Sequence, residues 1–299
     1  MLFNPMFNGS IAALVTPFTD QGEVDYLALD GLVDFHLENN SDGLVVAGTT
    51  GESATLDNKE FAGVLRRVIQ RAGGDIPVLA GTGSPSTRTA IERTVFAGEL
   101  GADGALVVTP YYNKPAQAGL HAHFTAIADA SAIPVVLYNV PSRTAVDMQP
   151  ATVAALSSHA RIAGVKEAVP DVARITDHLT RCEPGFRVLS GDDHSCLESM
   201  RNGAHGVVSV AANVVPKLMH ELCKAAAQLD WTLAEQIDSR LKAFFDVLMI
   251  ETNPIPVKWA LFEMGLVASG IRLPLTRLDN KFREPVRKCL AELGLMHAT

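Results

Sequence analysis

The chain has 299 residues, 47% hydrophobic and 19% charged, with 25 Lys plus Arg against 33 Asp plus Glu for a formal charge of −8. That is too apolar for a disordered chain and long enough to bury a large core. A negative overall field, with no basic run longer than Arg66 and Arg67, argues against nucleic acid and anionic membrane as partners.

A membrane span takes roughly 20 consecutive apolar residues, whereas the longest apolar stretches here, such as 133–138 (IPVVLY), are strand-sized. The opening MLFNPMFNGS has neither a basic start nor a long apolar run, so no secretory leader is expected. Cys182, Cys196, Cys223 and Cys289 lack CxxC spacing, which predicts reduced, buried thiols and a cytoplasmic protein rather than disulfides or zinc.

In chain order, short β-branched runs recur at 10–15, 43–47, 76–80, 104–108, 133–138, 162–166, 186–189 and 206–210. They are continuous rather than alternating, as strands buried on both faces of a parallel sheet read. Helical periodicity fills the gaps, for instance 57–72, opened by Asp57 with Glu60 three residues on, and 86–100, opened by Ser86. The strand starts advance by about 28 residues on average, one βα unit each. Eight such units by residue 228 predict an α/β chain folded as a (β/α)8 TIM barrel over 1–228. An open doubly wound sheet is the competitor, but no GxGxxG follows the first strand. Beyond it, 229–299 holds helical stretches near 231–250, 256–266 and 280–294, predicted to form a C-terminal helical extension packed on the barrel.

In this fold, sites are built at the C-terminal ends of the strands. Those ends read GTTGES, GTGS, TPYYN, YNVPSRT, KEA, SGDD and SVAAN, rich in hydroxyls and holding one interior lysine. Lys166 ends the apolar run IAGV, where an ammonium would be partly desolvated and the free amine needed for Schiff-base formation favoured. The bland alternative is a rim lysine paired with Glu167. Lys258, in the tail, is the only rival nucleophile. Tyr138 ends the preceding strand and is placed to move protons at the same carbonyl; a buried structural tyrosine is its alternative. Thr49 and Thr50 in GTTGE offer hydroxyls and turn amides for a carboxylate. Arg143, after the Pro141 turn, has the planar fork for a second carboxylate, or else serves a surface ion pair. His121 and His123 diverge at i, i+2, and Asp192, Asp193 and His194 read as a helix N-terminus, so no metal is expected. No cofactor motif, P-loop or GxSxG elbow occurs.

Together and in order, GTTGES, VTPYYN, LYNVPSRT, GVKEA, SGDD, GVVSV and NPIPVKWA resemble the dihydrodipicolinate synthase branch of the N-acetylneuraminate lyase family of class I aldolases, over essentially the whole chain. The resemblance implies a Schiff base between Lys166 and pyruvate, and a proton relay of Tyr138, Thr49 and Tyr112, the last reaching a neighbouring subunit's site. It further implies that Thr50 and the main chain of Val208 hold the pyruvate carboxylate, that Gly191 lines the second-substrate site, and that Arg143 binds the carboxylate of L-aspartate 4-semialdehyde. The implied reaction condenses the two substrates to 4-hydroxy-tetrahydrodipicolinate, toward diaminopimelate and lysine, in a homotetramer built as a dimer of dimers. Arg143 and the Tyr111–Tyr112 pair favour this branch over a lyase acting on a 2-keto-3-deoxy sugar acid, the alternative reading. A catalytically silent oxo-acid sensor is a third, disfavoured by an intact lysine and tyrosine.

One departure concerns regulation. In lysine-inhibited relatives, His, Asn and Glu line an effector site in segments where this chain keeps Ser53 and Ala54 but carries Asn58, Phe61, Pro85 and Thr89. Without a carboxylate for the effector's amine, weak or absent lysine inhibition is expected.

Overall fold

A computed structural model describes residues 6–296. The first five residues of the segment read for a leader, and the last three of the 229–299 stretch, lie outside the described residues.

Eight parallel strands close into a barrel in sequence order: β1 (Gly9–Ala13), β2 (Gly43–Val46), β3 (Val78–Gly81), β4 (Gly104–Val108), β5 (Val135–Asn139), β6 (Ile162–Glu167), β7 (Arg187–Ser190) and β8 (Gly206–Ser209). Each falls on one of the apolar runs. The third and fifth start later than their runs because Pro77 and Pro134, lacking an N–H, stand just ahead of Val78 and Val135. The first ends early because Val15 N leaves the ladder and donates to Asn213 Oδ1 at 3.0 Å.

Side-chain alternation divides the sheet into two apolar layers. Ile11, Val45, Leu79, Leu106, Val136, Leu189 and Val208 point inward and fill the barrel, with Phe7 beneath them. Val107, Val135, Leu137, Val165 and Val188 point outward into the layer shared with the surrounding helices. Those helices begin where their caps dictate. Asp57 and Glu60 form a reciprocal capping box ahead of Asn58–Ala72, and Ser86 accepts from Thr89 N ahead of Thr87–Glu99.

Past the barrel run the helices Trp231–Leu248, Ile255–Glu263 and Asn280–Glu292. Their Phe244, Phe245, Val257, Leu261 and Leu290 share one buried cluster with Leu14, Phe18, Leu29 and Leu65 from the barrel side. The tail therefore has no separate core and packs chiefly on the helix Pro216–Ala227 that follows β8. No helix among the described residues is long and apolar enough to cross a membrane.

Candidate active site

A cavity of ≈ 190 Å³ opens at the C-terminal ends of the strands, lined by residues from the strand ends, the loops after them and the tail. Lys166 and Tyr138 form one wall. Parallel register pairs them directly across β5 and β6, so both point inward at the same height. Lys166 Nζ sits 4.2 Å from the centroid of the Tyr138 ring, and the two side chains are 5% and 7% exposed as residues. Lys166 is not paired with Glu167, which alternation sends to the outside of the barrel, where it accepts from Asn139 Nδ2. Gly191 makes room for the lysine: a Cβ there would lie 2.9 Å from Lys166 Cε and 2.8 Å from Ala168 Cβ.

The opposite wall is the GTTGES turn after β2. Two non-glycine residues in the left-handed region, Ala47 at φ 53° and Glu52 at φ 52°, bracket it, a strained geometry of the kind that surrounding contacts must hold in place. Those contacts come from far away. Thr16 Oγ1 donates to Gly51 O at 2.7 Å. Glu52 is ion-paired with Lys258 and accepts from Arg272 N at 3.1 Å. Lys258 Nζ also donates to Thr16 O at 3.0 Å and lies 4.3 Å from the centre of the Phe18 ring. Burial pushes the Lys258 ammonium below its ordinary pKa, with the Glu52 carboxylate opposing. The rival lysine is thus a partnered structural cation.

Thr49 and Thr50 both line the cavity. Thr50 Oγ1 accepts from Asn253 Nδ2 at 3.0 Å, which leaves its own hydrogen available to a bound anion. Arg143 lines the mouth from the short helical turn Pro141–Thr144, with Nη2 donating to Asn253 O at 3.3 Å. Asn253 therefore touches both candidate carboxylate-binding side chains, and sequence reasoning missed it; its one signal was membership of the NPIPVKWA motif. Phe245, Leu248 and Met249 of the tail also line the mouth and gave no local signal.

Val208 is buried in the barrel interior, and it is Val210, two residues on, that lines the cavity. Tyr112 is not among the lining residues; the residue is 94% exposed on a backbone at φ 75°. Asp192 and Asp193 are not first-turn residues of the helix Cys196–Arg201. Asp192 accepts from Ser195 N at 2.9 Å, while Asp193 reaches back to Val210 N and Ala211 N at 3.0 and 2.9 Å. Burial raises the Asp193 carboxyl above its ordinary value, and hydrogen bonds from Ser209 and the two amides oppose this. His121 is exposed and His123 buried, the latter held to Thr87 Oγ1 at 2.9 Å and pushed down to about 4 by burial. Among the described residues no group of three or more His, Cys, Asp or Glu could hold a metal ion.

An amine with no ion-pair partner among the described residues, an aromatic hydroxyl beside it and carboxylate-sized donors at two levels above it suit addition to the carbonyl of an oxo acid. Comparison with known proteins agrees. The model of the dihydrodipicolinate synthetase family matches residues 6–293. The 4-hydroxy-tetrahydrodipicolinate synthase of Methylococcus capsulatus is 50% identical over 97% of this chain and 100% of its own length. Among solved structures, the chloride-inhibited dihydrodipicolinate synthase of Acinetobacter baumannii complexed with pyruvate is 46% identical, covers 97% of this chain and 99% of its own, and superposes with a TM-score of 0.95. A monomeric dihydrodipicolinate synthase variant, 39% identical over 97% of this chain and 98% of its own, also has a TM-score of 0.95. With a family match and relatives of half identity running almost end to end, the chain belongs to the dihydrodipicolinate synthetase family.

Proposed function

We propose that the chain is a class I, Schiff-base lyase that condenses pyruvate with L-aspartate 4-semialdehyde to 4-hydroxy-tetrahydrodipicolinate, in the biosynthesis of diaminopimelate and lysine in the cytoplasm. The observation that carries this is Lys166: a buried lysine, without an ion-pair partner among the described residues, facing Tyr138 on the wall of a cavity whose mouth holds Arg143.

Lys166 Nζ attacks the C2 carbonyl of pyruvate; the carbinolamine loses water to give an imine. Removal of a C3 proton gives an enamine, whose C3 attacks the aldehyde carbon of the second substrate. The substrate's own amine then closes on C2 and releases Lys166. Tyr138 moves the protons of these steps, aided by Thr49 and by Tyr112 from a partner subunit. Thr50 and the main chain of Val208 hold the pyruvate carboxylate. Arg143 holds the carboxylate of the semialdehyde, and Gly191 leaves space for it. No cofactor enters any step. A Tyr112 ring left in solvent on a left-handed backbone supports a subunit interface there, and we take the assembly to be a homotetramer, a dimer of dimers. The division we propose is a catalytic barrel over 1–228 and a helical extension over 229–299 that closes the site. Phe61, buried at 4%, stands where a lysine effector would need a polar group, and inhibition by L-lysine is weak or absent; a low-millimolar or tighter constant would sink that reading.

Borohydride reduction with pyruvate, followed by intact mass and peptide mapping, tests the covalent step: an adduct on Lys166 is expected, and none, or one on Lys258, overturns it. A substrate panel tests the partner. Cleavage of a 2-keto-3-deoxy sugar acid without condensation of L-aspartate 4-semialdehyde would replace the synthase by the sugar-acid lyase.

A further inference from the structure

Directly behind Lys166, outside the barrel, lies a buried carboxylate with no part in the chemistry above. Glu167 follows Lys166 on β6, and its side chain is 0% exposed. It accepts from Asn139 Nδ2 at 3.0 and 3.2 Å, from Val169 N at 2.9 Å, from Arg174 Nε at 3.2 Å and from His178 Nε2 at 3.1 Å. Asn139 stands to Tyr138 as Glu167 stands to Lys166: the register that pairs Tyr138 with Lys166 pairs Asn139 with Glu167. The cluster continues outward. Arg174 forks onto Asp147 at 2.9 and 3.1 Å and donates to Met148 O at 2.9 Å. Asn139 also donates to Asp147 Oδ1 at 2.9 Å and accepts from Met148 N at 2.9 Å. Asp147 and Met148 lie just beyond the Pro141–Thr144 turn that carries Arg143. Lys166, Tyr138 and Arg143 thus hang from one network that never faces the cavity.

Stability alone does not call for it. Replacing a buried ion network by packed apolar side chains is often neutral or stabilising, and Asn139 and Glu167 continue rows of wholly apolar residues, Val135 and Leu137 on β5 and Val165 on β6. Apolar contacts, however, fix no direction, whereas donors converging on one carboxylate set where each strand end sits. A displacement of about 1 Å between reacting groups costs roughly 100-fold in rate.

We propose that Glu167 is a positioning residue for the reaction: with Asn139 and Arg174 it locks β5, β6 and the Arg143 turn together, so that Tyr138, Lys166 and Arg143 meet one bound substrate. The inference rests on the Schiff-base chemistry proposed above, and its test separates the two.

Glu167→Gln keeps the volume but cannot accept from all of these donors. In the full chain, pyruvate incubations quenched with borohydride at successive times give the rate of imine formation per trappable lysine. The expected result is a normal endpoint on Lys166 at saturating pyruvate, approached roughly 10- to 100-fold more slowly, with kcat falling by the same factor and the pyruvate KM little changed. A purely structural role would lower the trappable fraction or the melting temperature and leave the rate per site alone, so a rate within about twofold of the parent overturns the proposal. Failure of the unmutated chain to form the adduct would sink the Schiff-base reading instead. Arg174→Gln is the second handle, and decides the matter alone if Glu167→Gln does not fold. It leaves Asn139 on Glu167, Asp147 and Met148 N but removes the fork onto Asp147 and the donor to Met148 O, so the KM for L-aspartate 4-semialdehyde should rise roughly 3- to 10-fold while imine formation stays near normal. An unchanged KM overturns the proposal.

Discussion

Lys166 and Lys258 are equally buried, each 5% exposed, and each lies over an aromatic ring, at 4.2 Å from the centre of Tyr138 and 4.3 Å from that of Phe18. They differ in what else they touch. Lys258 has a carboxylate, Glu52, and a carbonyl, Thr16 O. Lys166 has a cavity above it and no counter-ion among the described residues, its neighbouring carboxylate having been turned to the other side of the sheet. Burial alone therefore does not suit a lysine to nucleophilic attack; the amine proposed for that role is the one that faces a cavity rather than a carboxylate. The rest of the molecule follows the same division. The Lys166 side of the mouth carries the groups proposed for the chemistry, and the Lys258 side holds a strained turn in place.

The sharpest way to break the comparison is to delete each amine. Lys166→Ala should abolish condensation and the borohydride adduct while leaving the fold intact; a residual adduct on Lys258 would reverse the assignment of roles. Tyr138→Phe keeps the ring over Lys166 but loses the hydroxyl, and a loss of roughly 10²- to 10⁴-fold in kcat is expected, read in a coupled assay of condensation. If the rate held, the ring would matter and the hydroxyl would not.

Lys258→Met acts on stability rather than chemistry. It leaves Glu52 buried without its cation, a loss of about 3–5 kcal/mol, measured as a shift in denaturant midpoint. Glu52→Gln in the same chain should recover part of it. The pH dependence sharpens this further. Because burial holds the folded Lys258 pKa below its ordinary value of 10.5, the unfolded chain binds more protons in the window just beneath that value. Stability contributed by this group therefore rises with pH there. The parent chain should show a more positive slope of unfolding free energy against pH in that window than Lys258→Met does; equal slopes would mean that Glu52 fully compensates the burial.

What the sequence revealed and what it hid follow from the range of the interactions. The barrel was legible because strands buried on both faces carry continuous apolar runs, and the helix starts because Asp57 and Ser86 cap within three residues. Lys166 and Tyr138 were legible as polar groups ending such runs at strand ends. Which way Glu167 turns is a matter of strand alternation, and the bland reading that paired it with Lys166 ignored that neighbours on a strand face opposite ways. The partners of Asp193 are 17 and 18 residues away, and those of Asn253 are 203 and 110 residues away. No local pattern encodes those contacts, so the tail's contribution to the site emerged only with the fold.

The smallest expected effect concerns that contribution. Asn253 Nδ2 donates to Thr50 Oγ1, so the threonine hydrogen is left free for the pyruvate carboxylate that the proposed function assigns to it. Asn253→Ala removes this bias but not the hydroxyl, and a rise of about two- to threefold in the pyruvate KM is expected, with kcat unchanged. Asn253→Asp has only acceptors when ionised. It draws the Thr50 hydrogen toward itself and away from the substrate, and the loss of about 1 kcal/mol from one hydrogen bond corresponds to a rise of roughly fivefold. Arg143 is held through the main-chain oxygen of Asn253, which neither change removes, so the KM for L-aspartate 4-semialdehyde should stay put. A larger effect on the second substrate than on pyruvate would show that the tail serves the Lys166 side of the mouth rather than the turn it was assigned to hold.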